Sequence, residues 1–512
     1  MKIKNLIYKG LAVVAIALTA SCSEDYLEKS PEGLISEGTV SSALEQNPEN
    51  AMSLLVGVQK ALYDGDKFTT AHDEGGIAAM KLVSDLTCED VAYFYDQHWF
   101  CWDYQLDNRL GSYRRAGSMW NQLYNVIQMC NEIIAKLKPA EGEEVSEGFA
   151  TAYGEAHGLR AYAYFWLINL WQHPYSVNPE ASGVPIKTEE VYRPERCSVK
   201  DVYALILEDI DIAYKCLEGR GYHSGNKVSM SEYAAAAIYA NVLMFTGDYE
   251  NAAKYAELAI AGGSLNSEEE MLSGFNSLDM SEVIWGYNVT NETSIFYISQ
   301  MSHIDAYCIG YAGMGFNKLI ASDLLSHIDE NDIRRQWFGY NPQYNTVYEN
   351  SFAVENYYGL TDYIQNKFRD VSTMGKGETF NSAVIYTRIA EMFFVAAEAY
   401  YLAGNEAAAK EMLKQIMVSR NPAYTCDLSG EELYNEICIQ KRIETWLEGC
   451  RYFDAKRRNE TMDRNASENH SYTAVVYFNT GEYTGHDYRM IYRIPQKELE
   501  TNTSIGPEDD NE

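Results

Sequence analysis

Basic residues are scarce in this sequence: 41 Lys and Arg stand against 74 Asp and Glu, for a formal charge of −33 over 512 residues. Such a surface repels a polyanion, so nucleic acid is excluded as a main partner. Cysteine is sparse too, ten in all and none in a C-x-x-C pair, which leaves no disulfide scaffold, zinc ribbon or redox motif. There is no Gly-x-Ser-x-Gly elbow, His-Glu-x-x-His pair, P-loop or dinucleotide fingerprint, and the nine histidines are scattered. The sequence therefore assigns no catalytic residue, no metal and no cofactor. Beyond the first twenty-odd residues no apolar run approaches the ~18 that would span a bilayer. What remains is globular in balance, 46% hydrophobic and 22% charged, which excludes bulk disorder and collagen-like repetition. Tyrosine is abundant: 41 residues, against 17 Phe and 8 Trp.

The N-terminus reads as a targeting segment. Lys2, Lys4 and Lys9 precede an apolar run at 11–18, closed by Thr19, Ala20, Ser21 and Cys22. A helix of about ten residues covers ~15 Å, half a hydrocarbon core, so residues 1–21 are a signal rather than a span. Small residues directly before Cys22 resemble a bacterial lipobox, in which that cysteine is acylated and becomes the first mature residue. The other reading is an ordinary secretory signal cut near Ala20. Glu24, Asp25 and Glu28 resemble the signal that sends Bacteroidetes lipoproteins to the cell surface. Loss of three lysines with the signal takes the charge to about −36. The nine other cysteines read as small buried hydrophobes.

Two segments repeat one another. Ala240, Gly247 and Ala252 have the spacing of Ala397, Gly404 and Ala409: alanine seven before a glycine and alanine five after. Glycine supplies a left-handed cap that ends one helix, and the alanines let two helices cross closely. This is the spacing of tetratricopeptide helix pairs. Further helices are expected at 120–137, 155–170 and 198–217, the last opening on a Ser198-x-x-Asp201 box, with Ser229-x-x-Glu232 capping the helix into the first repeat. A late helical block runs over 431–458. Periodicity fails between 263 and 380, which marks a functional insertion. The acidic end, 508–512, is expected to be disordered.

The ordered motifs resemble the SusD/RagB family. They are the lead from Cys22 to Pro31; Trp120, Tyr124, Ile127 and Asn131; Arg160 to Phe165 followed by Gly183-Val-Pro185; Arg388 and Glu391 with Ala397-Glu398-Ala399; Arg442, Glu444, Glu448, Gly449, Arg451 and Asp454; and Ile494-Pro495 with Glu498 and Asn502. The resemblance implies a mainly α, TPR-like superhelix of four helix pairs with a large loop-rich insertion. It divides the chain into a signal (1–21), a lipidated lead (22–40), an N-terminal helical part (41–262), the insertion on the ligand side (263–380) and a C-terminal helical part (381–512). The two helical parts are expected to pack as one domain. It also implies a surface outer-membrane lipoprotein, anchored through Cys22, that captures glycan or peptide nutrients on a SusC-like TonB-dependent transporter; the leading reading is a non-enzymatic binder that delivers a nutrient glycan to that transporter.

Glu444, Glu448 and Arg451, four and three apart, are expected on one helical face as ion pairs locking the late helices to the frame; Arg160 reads the same way. Asp329 to Asp332 lacks a full calcium-loop pattern. The candidate site rests on aromatics. Seven of the twelve residues 93–104 are aromatic, and no helical or strand period hides all of them. Sugars stack their C–H faces on such rings, while hydroxyls take partners such as Asp96, Gln97, Asp103 and Asn108. A second group lies in the insertion. The ligand-binding candidates are Tyr95, Asp96, Trp99, Trp102, Trp285, Tyr287 and Trp337; the competing reading of each ring is core packing. Two other functions stay open: a lipid-anchored glycoside hydrolase using a carboxylate pair, and a peptide-binding repeat scaffold.

Overall fold

A computed structural model describes residues 47–94, 98–344, 360–370 and 380–511. Cys22, Tyr95 and Asp96 lie outside the described residues. The chain divides into two compact units, Met1–Ala51 and Met52–Glu512. Of the first, a single 3-10 turn at Pro48–Ala51 is described.

The second unit is a helical superhelix. Its helices of two turns or more are α1 (Met52–Asp64), α2 (Gly76–Leu86), α3 (Arg114–Leu137), α4 (Glu147–Trp171), α5 (Val199–Leu217), α6 (Glu232–Thr246), α7 (Tyr249–Ile260), α8 (Ile389–Leu402), α9 (Glu406–Arg420), α10 (Gly430–Glu444) and α11 (Arg451–Arg458). They pair as α1/α3, α4/α5, α6/α7 and α8/α9, and successive pairs stack side by side. Helix α7, which leaves for the insertion, lies against α8, which returns from it. The repeat is built as its spacing predicts. Gly247 and Gly404 cap their helices at φ 84° and 82°, and Asp248 and Asn405 each accept a bond from the third residue of the next helix. Ala240, Ala252, Ala397 and Ala409 are fully buried where the helices cross.

Ser198 caps α5 by accepting the Asp201 N–H. Helix α6 is capped by Ser231 rather than Ser229: the chain turns helical one residue past Ser231, whose side chain accepts the Ala234 N–H. Helix α4 buries 20 residues, so no amphipathic stripe marks it. Its Arg160 holds Asp209 with two bonds of 2.8 Å and donates a third to Asn131, which reaches Lys187 O. Within the superhelix, Phe453 of α11 lies among Phe165, Trp166 and Phe245 of the frame. Residues 508–511, expected to be disordered, are docked. Arg493 pairs with Asp510, and the buried Asn511 donates to Trp171 O and Tyr492 O.

The insertion carries little regular structure among its described residues. Short antiparallel ladders fasten it: β4 (Val283–Tyr287) pairs with β6 (Val384–Arg388), and β5 (Lys318–Ile320) pairs with β1 (Val91–Tyr93). Two further ribbons, β2 (Ile186–Lys187) with β3 (Tyr192–Arg193) and β7 (Thr461–Asp463) with β8 (Glu482–Thr484), brace the frame. A buried ion network does the rest. Arg388 grips Glu448 (2.6 and 2.9 Å) and Glu282 (2.6 Å), and Arg420 bridges Glu282 (2.6 Å) and Glu444 (3.0 Å). Arg334 joins Asp332 to Glu444, and Lys367 donates to Glu448 at 2.5 Å. Glu444, Glu448 and Arg451 do not share a helical face. The helix breaks at 445–450, with Leu447 and Gly449 at φ 61° and 80°, and Arg451 turns to Glu89 and Glu460 instead.

Three substitutions test this packing. Ala397→Leu should lower unfolding free energy in urea by about 1–3 kcal/mol through overpacking. Gly404→Ala should lose only about 1 kcal/mol, because an added Cβ meets no atom within 4 Å and only the left-handed backbone objects. Burial alone would raise the Glu448 carboxyl, but Arg388 and Lys367 outweigh it and hold it down to about 2. A depressed carboxylate contributes stability above its unfolded value of about 4.3, and that contribution is lost as pH falls through about 2. Glu448→Gln should therefore cost about 3 kcal/mol at pH 7 and flatten the fall in stability between those pH values. An unchanged acid limb would sink this account.

Candidate aromatic binding site

Three loops meet where the first helices face the insertion. The first, residues 65–75, joins α1 to α2. Glu74 organises it by accepting Thr70 N, Thr70 Oγ1 and Ala71 N at 2.8–3.0 Å. Gly76 closes it at φ 55°, where any Cβ would strike Tyr63 O at 2.2 Å. The second follows β1 and carries His98, Trp99 and the single turn Cys101–Tyr104. His98 and Phe100 both have positive φ, 104° and 70°, so Trp99 is presented between two strained residues. The third comes from the insertion, with Tyr297 and the turn around Tyr311. That turn closes on Gly313, whose Cβ would lie 1.7 Å from Cys308 O.

Arg115 of α3 ties the first two loops together. It forks onto Asp103 (2.7 and 3.0 Å) and bonds Asp73 (2.7 Å), while Arg114 takes Asp73 at 2.9 and 3.2 Å. Asp103 is thus a fully buried anchor, not a partner for sugar hydroxyls, and Asn108 is spent on it at 3.3 Å.

The result is a ledge of half-buried rings: His72, His98, Trp99, Tyr297, Tyr311 and Phe316. Trp99, Tyr311 and Tyr297 lie 5.5, 5.8 and 6.3 Å from His72, centroid to centroid. His98 stacks on Phe316 at 3.7 Å and meets Tyr311 at 4.7 Å. His72 Nδ1 and the Tyr311 hydroxyl share a 2.5 Å hydrogen bond. Beneath lie His303, which bonds His72 O at 2.8 Å, and Lys318, whose ammonium sits over the Tyr93 ring at 4.5 Å. Burial, with Lys318 nearby, lowers His98 to about 4 and His303 well below its ordinary value; burial brings Lys318 itself to about 7. At neutral pH both histidines are uncharged. His98 Nδ1, His303 Nδ1 and both amide atoms of the buried Asn317 have no hydrogen-bond partner. A patch of half-buried rings, with His98 and His303 neutral, suits a neutral, hydroxyl-rich ligand whose C–H faces stack on it.

Of the sequence candidates, Trp99 is on the ledge, and Trp102 faces solvent at 45% exposure three residues on. The other described candidates, Trp285, Tyr287 and Trp337, are buried. Trp285 is buried against Tyr162 and Tyr386 with its N–H on Val228 O (3.1 Å). Trp337 is buried on Phe275 with its N–H on Met271 O (2.8 Å). Tyr287 stacks on Tyr63 at 4.3 Å. Trp337 thus fills the insertion's own core, while Trp285 and Tyr287 pack the insertion against the frame at Tyr162, Val228 and Tyr63. The reading by residue type missed His72, His98 and Phe316, although His98 lies within the aromatic run itself. An interior cavity lined by Trp166, Phe245, Glu391 and Phe453 offers about 70 Å³, room for a few waters rather than a sugar.

A helix-pair superhelix carrying such a loop-built ledge defines the class of architecture, and comparison with known proteins gives the family. The model described as "Starch-binding associating with outer membrane" matches residues 43–244, and the SusD family model matches 303–506. The chain belongs to the SusD/RagB family. It is 25% identical to a SusD-like protein of Bacteroides ovatus over 49% of this chain and 41% of that protein, so the match spans about two-fifths of the relative's length. In structure it resembles a SusD-like carbohydrate binding protein of Bacteroides vulgatus, with TM-score 0.77, 21% identity and coverage of 91% and 98%. It also resembles surface glycan-binding protein A of Bacteroides thetaiotaomicron, solved with laminarihexaose, with TM-score 0.67, 17% identity and coverage of 91% and 99%.

Stability measurements separate ledge rings from core rings. Trp285→Ala should cost about 3–5 kcal/mol in urea unfolding. Trp99→Ala should cost less than about 1.5 kcal/mol, because that ring is already partly open to water. Equal losses would make Trp99 a packing residue.

Proposed function

We propose that this protein is a surface-exposed outer-membrane lipoprotein, anchored through Cys22, that binds a nutrient oligosaccharide and hands it to a TonB-dependent transporter of the SusC type. One observation carries the reading: the half-buried aromatic ledge where loops 65–75 and 98–104 meet the insertion. Family membership and a solved relative holding laminarihexaose support a glycan as its ligand. The Lys-rich, apolar N-terminus ending at Cys22 supports the anchor, and no described helix is long and apolar enough to cross a membrane.

The protein is read as a binder rather than a hydrolase because Asp73, Glu74 and Asp103, the described carboxylates that brace the ledge, are held by Arg114 and Arg115. A glycosidase needs two carboxyls free to face the scissile bond. The peptide-scaffold reading is weakened by Phe453, which packs α11 of the same chain against Phe165, Trp166 and Phe245 inside the superhelix.

Calorimetry of the mature protein against neutral oligosaccharides tests this. At least one should bind, and Trp99→Ala or Tyr297→Ala should weaken it tenfold or more, about 1.4 kcal/mol. Chromatography of the same mixtures should show no shortened glycan. Affinity that survives both substitutions moves the site elsewhere, and a shortened product overturns the binding-only view.

A further inference from the structure

A second aromatic surface lies beyond the ledge. Tyr472, Tyr477 and Tyr488 are 77%, 79% and 67% exposed, among the most exposed large side chains of the described residues. They stand on a braced structure. Residues Thr473–Tyr477 form one π-helical turn, closed by the Phe478 N–H on Thr473 O (3.1 Å). That i→i+5 pattern brings residues five apart, Tyr472 and Tyr477, onto one side of the turn. Below it, Ala474 is fully buried, Thr480 Oγ1 donates to Ala474 O (2.8 Å), and the buried Arg464 donates to Thr480 Oγ1 (2.9 Å). Tyr488 is fastened alongside: Arg489, paired with Asp487, donates to Asn479 O at 2.7 Å.

This surface is joined to the ledge. The Tyr104 hydroxyl bonds His470 Nδ1 (2.7 Å) and accepts the Ser471 N–H (3.2 Å), and Arg464 donates to Tyr104 O (2.6 Å). Tyr104 ends the turn Cys101–Tyr104, in which Cys101, Asp103 and Tyr104 are buried and Trp102 alone faces out. Trp102 and Tyr472, both exposed, stand two residues and one residue along the chain from Tyr104 and Ser471, which are hydrogen-bonded, and with Tyr477 and Tyr488 they make up an aromatic track on backbone already ordered by hydrogen bonds.

We infer that this track is a second glycan-contacting surface, which lets the protein hold a polysaccharide chain longer than the ledge alone accommodates. The inference rests on the glycan reading of the ledge. The chemistry favours a sugar chain over a protein: the exposed rings are phenols, Val476 is the one large aliphatic among them, and Asn479, Glu482 and Asp487 stand around them. A protein interface core is more apolar than this. Pre-ordered tyrosines bind at small entropic cost. A chain already held on the ledge presents its next units to the track at high effective concentration, so weak stacking there still raises affinity for long ligands.

The test uses the mature protein, Trp99→Ala and the double variant Tyr472→Ala/Tyr477→Ala. Each is titrated with polysaccharides (laminarin, amylopectin, xylan) and with the matching trisaccharides. The double variant should bind the preferred polysaccharide at least tenfold more weakly and its trisaccharide as wild type does, while Trp99→Ala should lose both. If the double variant holds the polysaccharide as tightly as wild type while Trp99→Ala does not, the track is not a glycan surface and the ledge reading stands. If wild type binds none of the six probes, the ledge reading falls and the track with it.

Discussion

Four cations and four carboxylates with almost no access to water hold this molecule in its shape. Arg334, Arg388, Arg420 and Lys367 face Asp332, Glu282, Glu444 and Glu448 in one continuous network. Taking such charges from water costs several kcal/mol each, and only good geometry offsets it. Here the geometry is good, because guanidinium forks match carboxylates two bonds at a time. The partners come from distant parts of the chain: Glu282, Asp332, Arg334 and Lys367 from the insertion, Arg388, Arg420, Glu444 and Glu448 from the late helices. An apolar contact there would tolerate sliding. A fork does not, so the network fixes where an otherwise irregular insertion sits on the helical frame.

That placement makes the ledge possible. Tyr297 and Tyr311 belong to the insertion, and His72 and Trp99 to the first helices. They meet only if the two parts are held in register. The ladder β1–β5 and the network set the insertion's side, and the Arg115 fork onto Asp73 and Asp103 sets the other. The strained φ values at His98 and Phe100 persist on the same footing, since Phe100 is buried under Arg115 and Lys318.

How much of this could be read in the sequence depended on how local the physics was. Gly247 and Gly404 announced helix ends because a left-handed cap is a one-residue requirement, and flanking alanines at fixed spacing announced close crossings. Ser198 announced a cap for the same reason. Ser229 misled, because Ser231 satisfies the same orphan N–H groups and only the start of the turn decides between them. The break after Glu444 was illegible: helical spacing put Glu448 and Arg451 on its face, yet their partners lie in Lys367, Arg388 and Glu89. The docked tail was hidden likewise, since Asp510 finds Arg493, and Asp509 O and Asn511 Oδ1 find Arg196, only in the fold. At the candidate site the aromatic run over 93–104 pointed to a loop that carries the half-buried Trp99 and the exposed Trp102. It could not tell Trp99 from Trp285, because neither sequence stretch shows helical periodicity and burial is settled by what packs around each ring.

The charge of the molecule takes on a more specific meaning once its buried part is subtracted. The network is balanced, four against four, so the large negative excess belongs to the surface. Against that background the ledge is an exception. Its braced carboxylates are spent on Arg114 and Arg115, and desolvation keeps His98 and His303 neutral near pH 7. A charged ligand gains nothing from such a patch: an anion is opposed by the surrounding field, and a cation finds stronger partners elsewhere on the surface. A neutral ligand meets neither effect. Under the proposed glycan reading, the same acid excess favours glycans without uronic or sulfate groups.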